Sequence, residues 1–569
     1  MAAHGGREGE VPGPARAHLL AGLWRAAPRG APVQRAGPHR QGEGAHRHRS
    51  RSPRLWLGGV AQPGNRSDEG RHRCGRRLAD PQRDDQRGER RVVGLVPPRR
   101  WRGHRLLTAR RSGDRRRRER SRGAPHRAHA AVRPRHGRHS SCRRGLRRGD
   151  HRGEGTRRED PRRDGVSFDL LIRNTSEVVT CTGEGTAEAM LAPIKRGCVG
   201  IREGRIAWLG TEPTEGATLE LDARGGFVGP GFVDCHTHVV FAGDRSDEFE
   251  LRCQGRTYLE IAATGGGIAK TVTATRAANE DQLFKLALPR LERLLKHGVT
   301  TAEVKSGYGL DVESELRMLR VVRRLGEQQP ISLVGTLLAL HAIPPEFKTD
   351  RAGWVRLVID ELIPRVASEG LARFNDVFVE QTAFTHDEAR AVLEAGLRHG
   401  LKPRLHVDQM TANGGAQLAA SLGAVTADHL EQISAEGIAA LARSGTVAVF
   451  APTSTLFARA RPFAPGRALR DAGVRVALCT NCNPGSSHSE NVFLAIGLAC
   501  VENGMTPAEA YLGFTRFGAD AIADSSLGRL QVGAPADVTI FSADSYRALP
   551  YHFAMNSVAH VVKDGQLVF

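Results

Sequence analysis

Long apolar runs are missing from this chain of 569 residues. None reaches the roughly 18 apolar residues that a membrane-spanning helix requires, so we expect no membrane partner. Cysteine is also scarce, with nine residues in the whole chain. These cysteines are scattered and do not have the spacing of a disulfide framework. Reduced thiols of this kind are typical of cytoplasmic proteins, and the sequence therefore predicts a cytoplasmic location.

Lysine is absent from residues 1–165, and no methionine occurs between Met1 and Met190. The same block contains 44 arginines and 16 acidic residues, so it carries a net charge of +28. Because the whole chain carries +21, the rest of the chain has a net charge of −7. The block has neither helical nor strand periodicity, and its low apolar content cannot offset the loss of chain entropy on folding. We therefore predict a disordered, arginine-rich, low-complexity extension over residues 1–165.

Three interpretations of this extension are open. It has no pattern of aromatic residues for stacking on bases, which makes a nucleic-acid-binding arm unexpected. It is far longer than a transit peptide and has no secretory apolar segment, which argues against a cleaved targeting signal. The absence of lysine and the gap in methionine fit a third interpretation, in which the block is a spurious extension and translation starts near Val166.

Strand-like and helix-like segments alternate from residue 166 onward. Short alternating strands occupy both ends, over residues 166–230 and 526–569, and we predict that these ends pair into one small β-sandwich domain. Over residues 231–525, eight apolar runs alternate with amphipathic stretches, which predicts an α/β protein with a closed (β/α)8 TIM-like barrel. The eight runs span residues 231–239, 298–306, 331–342, 376–382, 403–410, 424–430, 446–453 and 474–481.

Polar and titratable residues stand at the ends of these apolar runs, where a barrel of this kind gathers its functional groups. They are His236, His238, Tyr308, His341, His406, Gln409, His429 and Asn481. Side chains two residues apart on a strand point the same way, so His236 and His238 can meet on one ion. Imidazole and oxygen ligands suit zinc or iron.

A metal ion with an open coordination position activates water and polarises a carbonyl group, so this pattern predicts hydrolysis or deamination. Other chemistry has no comparable support, because the sequence contains no HExxH, no phosphate-binding loop of the Walker type and no GxSxG. A single CxxC pair, at Cys479 and Cys482, is weak support for structural zinc.

Eight motifs follow one another between residues 168 and 569: PGFVDCHTHVVFAGDR, TGGGIAKTV, GVTTAEVKSGYGL, LLALHAIPPE, LHVDQM, ADHLEQI, APTSTLF and NPGSS. In this order they resemble the imidazolonepropionases, a family of the amidohydrolase superfamily. The resemblance implies hydrolysis of the cyclic amide C–N bond of 4-imidazolone-5-propanoate to N-formimino-L-glutamate in histidine degradation. It also implies a small-molecule substrate and one Zn²⁺ or Fe²⁺/Fe³⁺ ion per subunit. A homodimer is the commonest assembly for soluble enzymes.

The resemblance further implies roles for individual residues. The implied metal ligands are His236, His238 and His406, with Asn481 as a neighbour of the ion. The implied substrate contacts are Arg245, Tyr308, His341, Gln409, Asn483, Gly485 and Ser486. His429 and Gln409 are the implied catalytic residues, and His429 would assist at the carbonyl group or at the water.

Asn481 departs from the superfamily pattern. The resemblance places it where the superfamily usually has an aspartate that binds the metal and takes a proton from the water. A carboxamide can coordinate through its oxygen, but it cannot act as a general base near neutral pH. Either another group takes over that step, with His429 as the first candidate, or the barrel is catalytically impaired. Another amidohydrolase or aminohydrolase acting on a related heterocycle is the remaining alternative.

Overall fold

The computed structural model describes residues 166–256, 260–261 and 265–569. The disorder that we predict for residues 1–165 concerns positions outside this described part. Within it, no helix is both long and apolar enough to cross a membrane. The seven cysteines of the described part are free thiols.

The described residues form 18 strands and 16 α-helices, which alternate mainly between residues 299 and 478. In chain order the strands are β1 (Val166–Arg173), β2 (Glu177–Val178), β3 (Ile194–Lys195), β4 (Cys198–Arg202), β5 (Arg205–Gly210), β6 (Gly216–Asp222), β7 (Val228–Pro230), β8 (Phe232–Thr237), β9 (Val299–Lys305), β10 (Ser332–Leu340), β11 (Phe374–Val379), β12 (Lys402–Val407), β13 (Thr426–His429), β14 (Val447–Phe450), β15 (Val476–Leu478), β16 (Val538–Phe541), β17 (Val558–Lys563) and β18 (Gln566–Leu567). The α-helices are α1 (Ala187–Leu191), α2 (Ser246–Cys253), α3 (Ile268–Ala277), α4 (Glu280–Lys296), α5 (Val312–Gln328), α6 (Arg351–Leu357), α7 (Ile363–Ser368), α8 (His386–Arg398), α9 (Gly415–Ser421), α10 (Ala435–Ser444), α11 (Pro452–Phe457), α12 (Gly466–Asp471), α13 (Val492–Val501), α14 (Pro507–Phe514), α15 (Arg516–Ala521) and α16 (Ala548–Tyr551).

Strands β8 to β15 form one parallel sheet in which each strand pairs with the next in the chain. The first and last strands meet through the segment that follows β15. The Asn481 N–H donates to the His236 carbonyl at 3.1 Å, and the His238 N–H donates to the Cys482 carbonyl at 2.9 Å. These bonds bring the sheet close to full closure, and the predicted eight-stranded barrel is confirmed.

Amphipathic helices cover the outside of the barrel, so its strands are buried on both faces and are apolar over most of their length. The segment HDEARAVLEAGLR forms α8, which begins with a capping box between Thr385 and Glu388. A second capping box, between Asn279 and Gln282, begins α4. These local signals explain why the boundaries of the helices follow the sequence pattern closely.

Two small sheets are built from both ends of the described chain, in the strand orders β5-β4-β1-β6 and β18-β17-β16-β7-β2-β3. Strand β7 pairs antiparallel with β16, so that Val228 lies opposite Ile540. Buried side chains from both sheets share one core, which includes Leu170, Val199 and Val538. The predicted β-sandwich made from both ends is therefore confirmed.

Several barrel strands are shorter than the apolar runs that predict them. The run 446–453 ends as a strand at Phe450 because Pro452 begins α11. The run 474–481 is a strand only over Val476–Leu478. The polar residues that follow these strands therefore stand on loops at the C-terminal end of the barrel.

Candidate active site

Three buried histidines converge at the C-terminal end of the barrel. The Nε2 atoms of His236 and His238 are 3.3 Å apart. The His406 ring centroid is 4.5 Å from that of His236 and 5.8 Å from that of His238. One ring nitrogen of each histidine lies within 4.8 Å of the others. Three imidazoles at this spacing can share a single ion.

The chemical state of these rings also fits a metal. Burial lowers the pKa of His236, His238 and His406 well below the usual value, and the nearby charge of Lys305 lowers it further. The three imidazoles are therefore neutral near pH 7. The Nε2 atom of His406 is buried and has no hydrogen-bond partner. A neutral imidazole with an unused lone pair is the form that coordinates a metal ion.

Carboxylates fix the orientation of two of these rings. His236 Nδ1 lies 2.6 Å from Asp428 Oδ2, and His406 Nδ1 lies 3.1 Å from Asp376 Oδ1. An Nδ1–H that donates to a carboxylate leaves Nε2 as the coordinating atom, and such pairs are common at metal sites. Strands β11 and β13 supply these carboxylates, and sequence analysis did not identify either residue.

Two buried cations hold those carboxylates in turn. Lys305 Nζ donates to Asp376 Oδ2 and to Glu303 Oε1, both at 2.8 Å. Arg404 Nη2 donates to Asp428 Oδ2 at 3.2 Å. All of these side chains are buried. The sequence does contain a sign of this network, because charged residues occur inside strands that are otherwise apolar on both faces. A buried charge is rarely found without a partner.

Tyr308 and His341 stand beside the histidine cluster. The His341 ring stacks on the His238 ring at a centroid distance of 5.3 Å, and the Tyr308 ring is also 5.3 Å from the His341 ring. Burial lowers the pKa of His341 to about 4. Its Nδ1 lies 3.0 Å from the Gly307 carbonyl and donates to it, so the Nε2 lone pair of this neutral ring is left to accept a hydrogen bond.

Glu315 holds the turn that carries Tyr308. Its carboxylate accepts hydrogen bonds from the N–H groups of Gly307, Gly309 and Leu310 at 2.9, 2.8 and 2.7 Å. Gly307 has a φ of 103°, a conformation that residues with a Cβ atom rarely adopt. The sequence SGYGL therefore needs a glycine at this position, and the buried glutamate of α5 fixes the rest of the turn.

Arg245 lies against the loop that contains Gly485. Its Nε and Nη2 pair with Glu248 Oε2 at 2.9 and 2.8 Å, and its side chain is only 11% exposed. A Cβ atom at position 485 would come within 2.5 Å of Arg245 Nη1. A side chain at this position would displace the guanidinium group from its present place. Asn483 Oδ1 shapes the same loop by accepting from the N–H groups of Gly485 and Ser486, each at 2.8 Å.

A cavity opens over the histidines at this end of the barrel. Its lining residues are His238, Tyr308, His341, Phe378, His406, Gln409, His429, Asn481, Asn483 and Ser486. Among the described residues that line it there is no aspartate or glutamate. Phe378 is the one lining residue that sequence analysis did not identify. The predicted substrate residues Gln409, Asn483 and Ser486 share this cavity with Tyr308 and His341, whereas Arg245 and Gly485 lie beside it.

Asn481 and His429 both line the cavity beside the histidine cluster. Asn481 is 2% exposed, and its side-chain oxygen accepts from Asn483 Nδ2 at 3.0 Å. The His429 ring centroid is 5.6 Å from that of His236 and 5.3 Å from that of His406. The imidazole of His429 therefore stands beside two of the three clustered rings, in a cavity whose described lining contains no carboxylate.

Comparisons with known proteins agree with this geometry. The sequence model of the amidohydrolase family matches residues 227–568. The chain is 59% identical over 408 residues to the imidazolonepropionase of Myxococcus xanthus (strain DK1622), a match that covers 70% of this chain and 97% of that protein. It is 50% identical over 407 residues to the imidazolonepropionase of Anaeromyxobacter sp. (strain K), covering 70% and 96%. The corresponding protein of Geobacillus sp. (strain WCH70) is 43% identical over 414 residues.

Solved structures share the fold at low sequence identity. A triazine hydrolase variant superposes with a TM-score of 0.54 at 16% identity, and the match covers 70% of this chain and 94% of that one. The ochratoxinase of A. niger gives a TM-score of 0.52 at 17% identity, covering 70% and 95%. These two likenesses concern the arrangement of strands and helices alone.

Proposed function

Because this chain belongs to the amidohydrolase family, we propose that it hydrolyses 4-imidazolone-5-propanoate to N-formimino-L-glutamate in histidine degradation. The chain is a metal-dependent hydrolase that acts on carbon–nitrogen bonds. The observation that carries the substrate assignment is the 59% identity to a relative named imidazolonepropionase over 97% of its length. The position of Arg245 beside the histidine-lined cavity supports it, because the substrate carries a carboxylate.

His236, His238 and His406 would hold one metal ion per subunit, with Asn481 as a neighbour. We propose zinc or iron, because neutral imidazoles suit both. When bound, the ion supplies positive charge that activates water and polarises the substrate carbonyl group. Asp376 and Asp428 would keep the rings of His406 and His236 turned toward it, since each accepts the Nδ1 proton.

Arg245 would bind the propionate group. Glu248 holds one edge of the guanidinium group, so that Nη1 faces the loop of Gly485. A planar guanidinium recognises a carboxylate through parallel hydrogen bonds. His341 and Tyr308 would then position the ring, because the free Nε2 lone pair of His341 can accept from a ring N–H. The carboxamide of Gln409 would contact the other side of the ring.

His429 would move the proton during hydrolysis. Its imidazole would accept a proton from the attacking water as the carbonyl carbon gains a hydroxyl group. The imidazole of His429 would then return that proton to the nitrogen of the substrate ring as the C–N bond breaks. The nitrogen then leaves as part of the formimino group, while Asn483 and Ser486 keep the loop around the substrate in place.

A direct assay tests this function. We expect the purified protein, loaded with zinc or iron, to consume 4-imidazolone-5-propanoate, followed by its ultraviolet absorbance, and to form N-formimino-L-glutamate, identified by mass spectrometry. Release of ammonia without ring opening would favour an aminohydrolase instead. Absence of turnover by protein with a full complement of metal would contradict the substrate assignment.

Replacing Arg245 with glutamine is expected to raise KM for this substrate at least about tenfold while changing kcat much less. A lost carboxylate contact is worth about 1.4 kcal/mol or more, which corresponds to that factor. Steady-state kinetics measure the two constants. Arg252→Gln is the matched control, because Arg252 lies on α2, the helix that begins directly after Arg245, and its guanidinium group lies over the rings of Phe249 and Phe457. An unchanged KM in Arg245→Gln would remove this residue from substrate binding.

We also propose that the protein acts in the cytoplasm as a homodimer. The seven free cysteines of the described part support the first proposal, since a reducing compartment keeps thiols unpaired. The second depends on the general preference of soluble enzymes for twofold assemblies. Light scattering on the purified protein measures its mass, and a monomeric mass would contradict the dimer.

A further inference from the structure

A second cavity lies at the opposite end of the barrel from the histidines. Its volume is about 530 Å³, which is within the range of small-molecule sites. Val476, the first residue of β15, lines this cavity, whereas Asn481 follows the other end of the same strand. The two cavities therefore open at different ends of the barrel. Helix α1 of the small β part closes the second cavity on one side.

The lining of the second cavity combines apolar side chains with an excess of positive charge. The apolar residues are Met190, Val474, Val476, Met505 and Phe517. The charged residues are Arg470, Arg475, Arg516, Arg529, Glu509 and Asp520. Four guanidinium groups thus face two carboxylates, and the lining carries a formal charge of +2. An unbalanced set of arginines around an apolar pocket favours an anion with an apolar body.

Each carboxylate of the lining is already shared between arginines. Asp520 accepts from Arg475 and from Arg529, both at 3.1 Å. Glu509 pairs with Arg470 and, at 3.9 Å, with Arg467. Neither carboxylate can therefore neutralise the remaining charge.

Arg516 is the arginine of this lining without a carboxylate partner among the described residues. Its Nη1 donates to the Gly183 carbonyl at 2.6 Å. That bond fixes the guanidinium group between the barrel and the small β part, but it does not compensate the charge. The rest of the planar group keeps donors that match a carboxylate or a phosphate.

We propose that this second cavity binds a small organic dianion. Its anionic groups would pair with Arg516 and with the other arginines of the rim, and its apolar body would pack on Met190, Met505 and Phe517. A dicarboxylate and a phosphate monoester share this chemistry. The inference is independent of the hydrolase activity, because it concerns the other end of the barrel.

Calorimetric titration of the full chain tests this proposal with three probes. Suberate is an aliphatic dicarboxylate, hexyl phosphate is a phosphate monoester, and 1,8-octanediol has the length of suberate without its charge. We expect at least one anion to bind and the diol not to bind. Whichever anion binds more tightly shows whether the cavity prefers a dicarboxylate or a phosphate monoester. Lack of binding by both anions, or equal binding of the diol, would overturn the proposal.

Variants locate the site. Arg516→Gln is expected to weaken binding of the anion at least about tenfold and to leave hydrolysis of the substrate unchanged. Arg475→Gln is a second variant of the same lining, and it keeps the test available if Arg516→Gln folds poorly. Arg390→Gln removes an equal charge on the outer surface of α8, where Arg390 pairs with Glu394, and should bind as the unmodified chain does.

The active site must be excluded as the place of binding, because Arg245 is expected to bind a carboxylate as well. Arg245→Gln should therefore retain binding of the anion to the second cavity. Loss of binding in Arg245→Gln together with full binding in Arg516→Gln and Arg475→Gln would overturn the proposal. Equal weakening by Arg390→Gln would also overturn it, since a general charge effect would then explain the result.

Discussion

Replacing His406 with alanine is expected to abolish tight metal binding and to lower kcat/KM for ring hydrolysis by about 1000-fold or more. A bound metal ion supplies several kcal/mol of transition-state stabilisation, and each 1.36 kcal/mol is worth a factor of ten. In the described part of the chain, His406 supplies one of the three imidazoles that can share one ion. Without its Nε2 the remaining pair cannot hold the ion at the position that the substrate requires.

Elemental analysis after dialysis measures the bound metal, and steady-state kinetics measure the rate. His399→Ala is the matched control, because His399 ends α8 on the exposed surface and should keep both metal and activity. If His406→Ala retained a full complement of metal while losing activity, His406 would act on the substrate, and the assignment of the three ligands would be wrong.

The fold was predictable because the sequence pattern of apolar and amphipathic segments depends only on which residues are buried. Parallel strands covered by helices on the outside are apolar on both faces, and eight such runs separated by amphipathic stretches have few other arrangements. The polar residues at the ends of these runs then had to meet at one end of the barrel. The division of the chain at residues 231 and 526 into domains stays a prediction, as do the roles of the individual site residues.

The charges beneath the histidines were not predictable in the same way. Asp376 lies on β11, and its approach to His406 on the neighbouring β12 depends on the register between these two strands. Asp428 on β13 meets His236 on β8, although these two strands are not neighbours in the sheet. A single sequence shows that these strands contain acidic residues, but it does not show which side chain each one meets. Lys305 illustrates the limit, because its two carboxylate partners lie 2 and 71 residues away along the chain.

Amide side chains, rather than carboxylates, line the described part of the active-site cavity. Gln409 and Asn481 both line the cavity, and no acidic residue lines it in the described part of the chain. A neutral lining does not repel the substrate carboxylate, which favours binding of an anion beside Arg245. We propose His429 as the proton acceptor. Under that proposal, binding of an anionic substrate favours an amide at position 481, whereas proton transfer favours a carboxylate there.

Replacing Asn481 with aspartate is therefore expected to raise kcat about tenfold. A general base contributes roughly 100-fold to 10,000-fold, but His429 already supplies part of that effect. The new carboxylate would stand where the Asn481 side-chain oxygen accepts from Asn483 Nδ2 at 3.0 Å, so its orientation is already set. Steady-state kinetics at matched metal content measure the change.

Asn483→Asp is the control, because it adds the same charge two residues further on the same loop. Its loss of Nδ2 removes the donor to Asn481, so we expect kcat to fall. A gain in Asn481→Asp alone would show that the natural amide limits proton transfer. If kcat instead stayed the same or fell with the metal still bound, His429 would be a sufficient base, and the interpretation of an impaired barrel would be wrong. In that case the role of the amide would be to keep the cavity neutral for an anionic substrate, and a second base would not be needed.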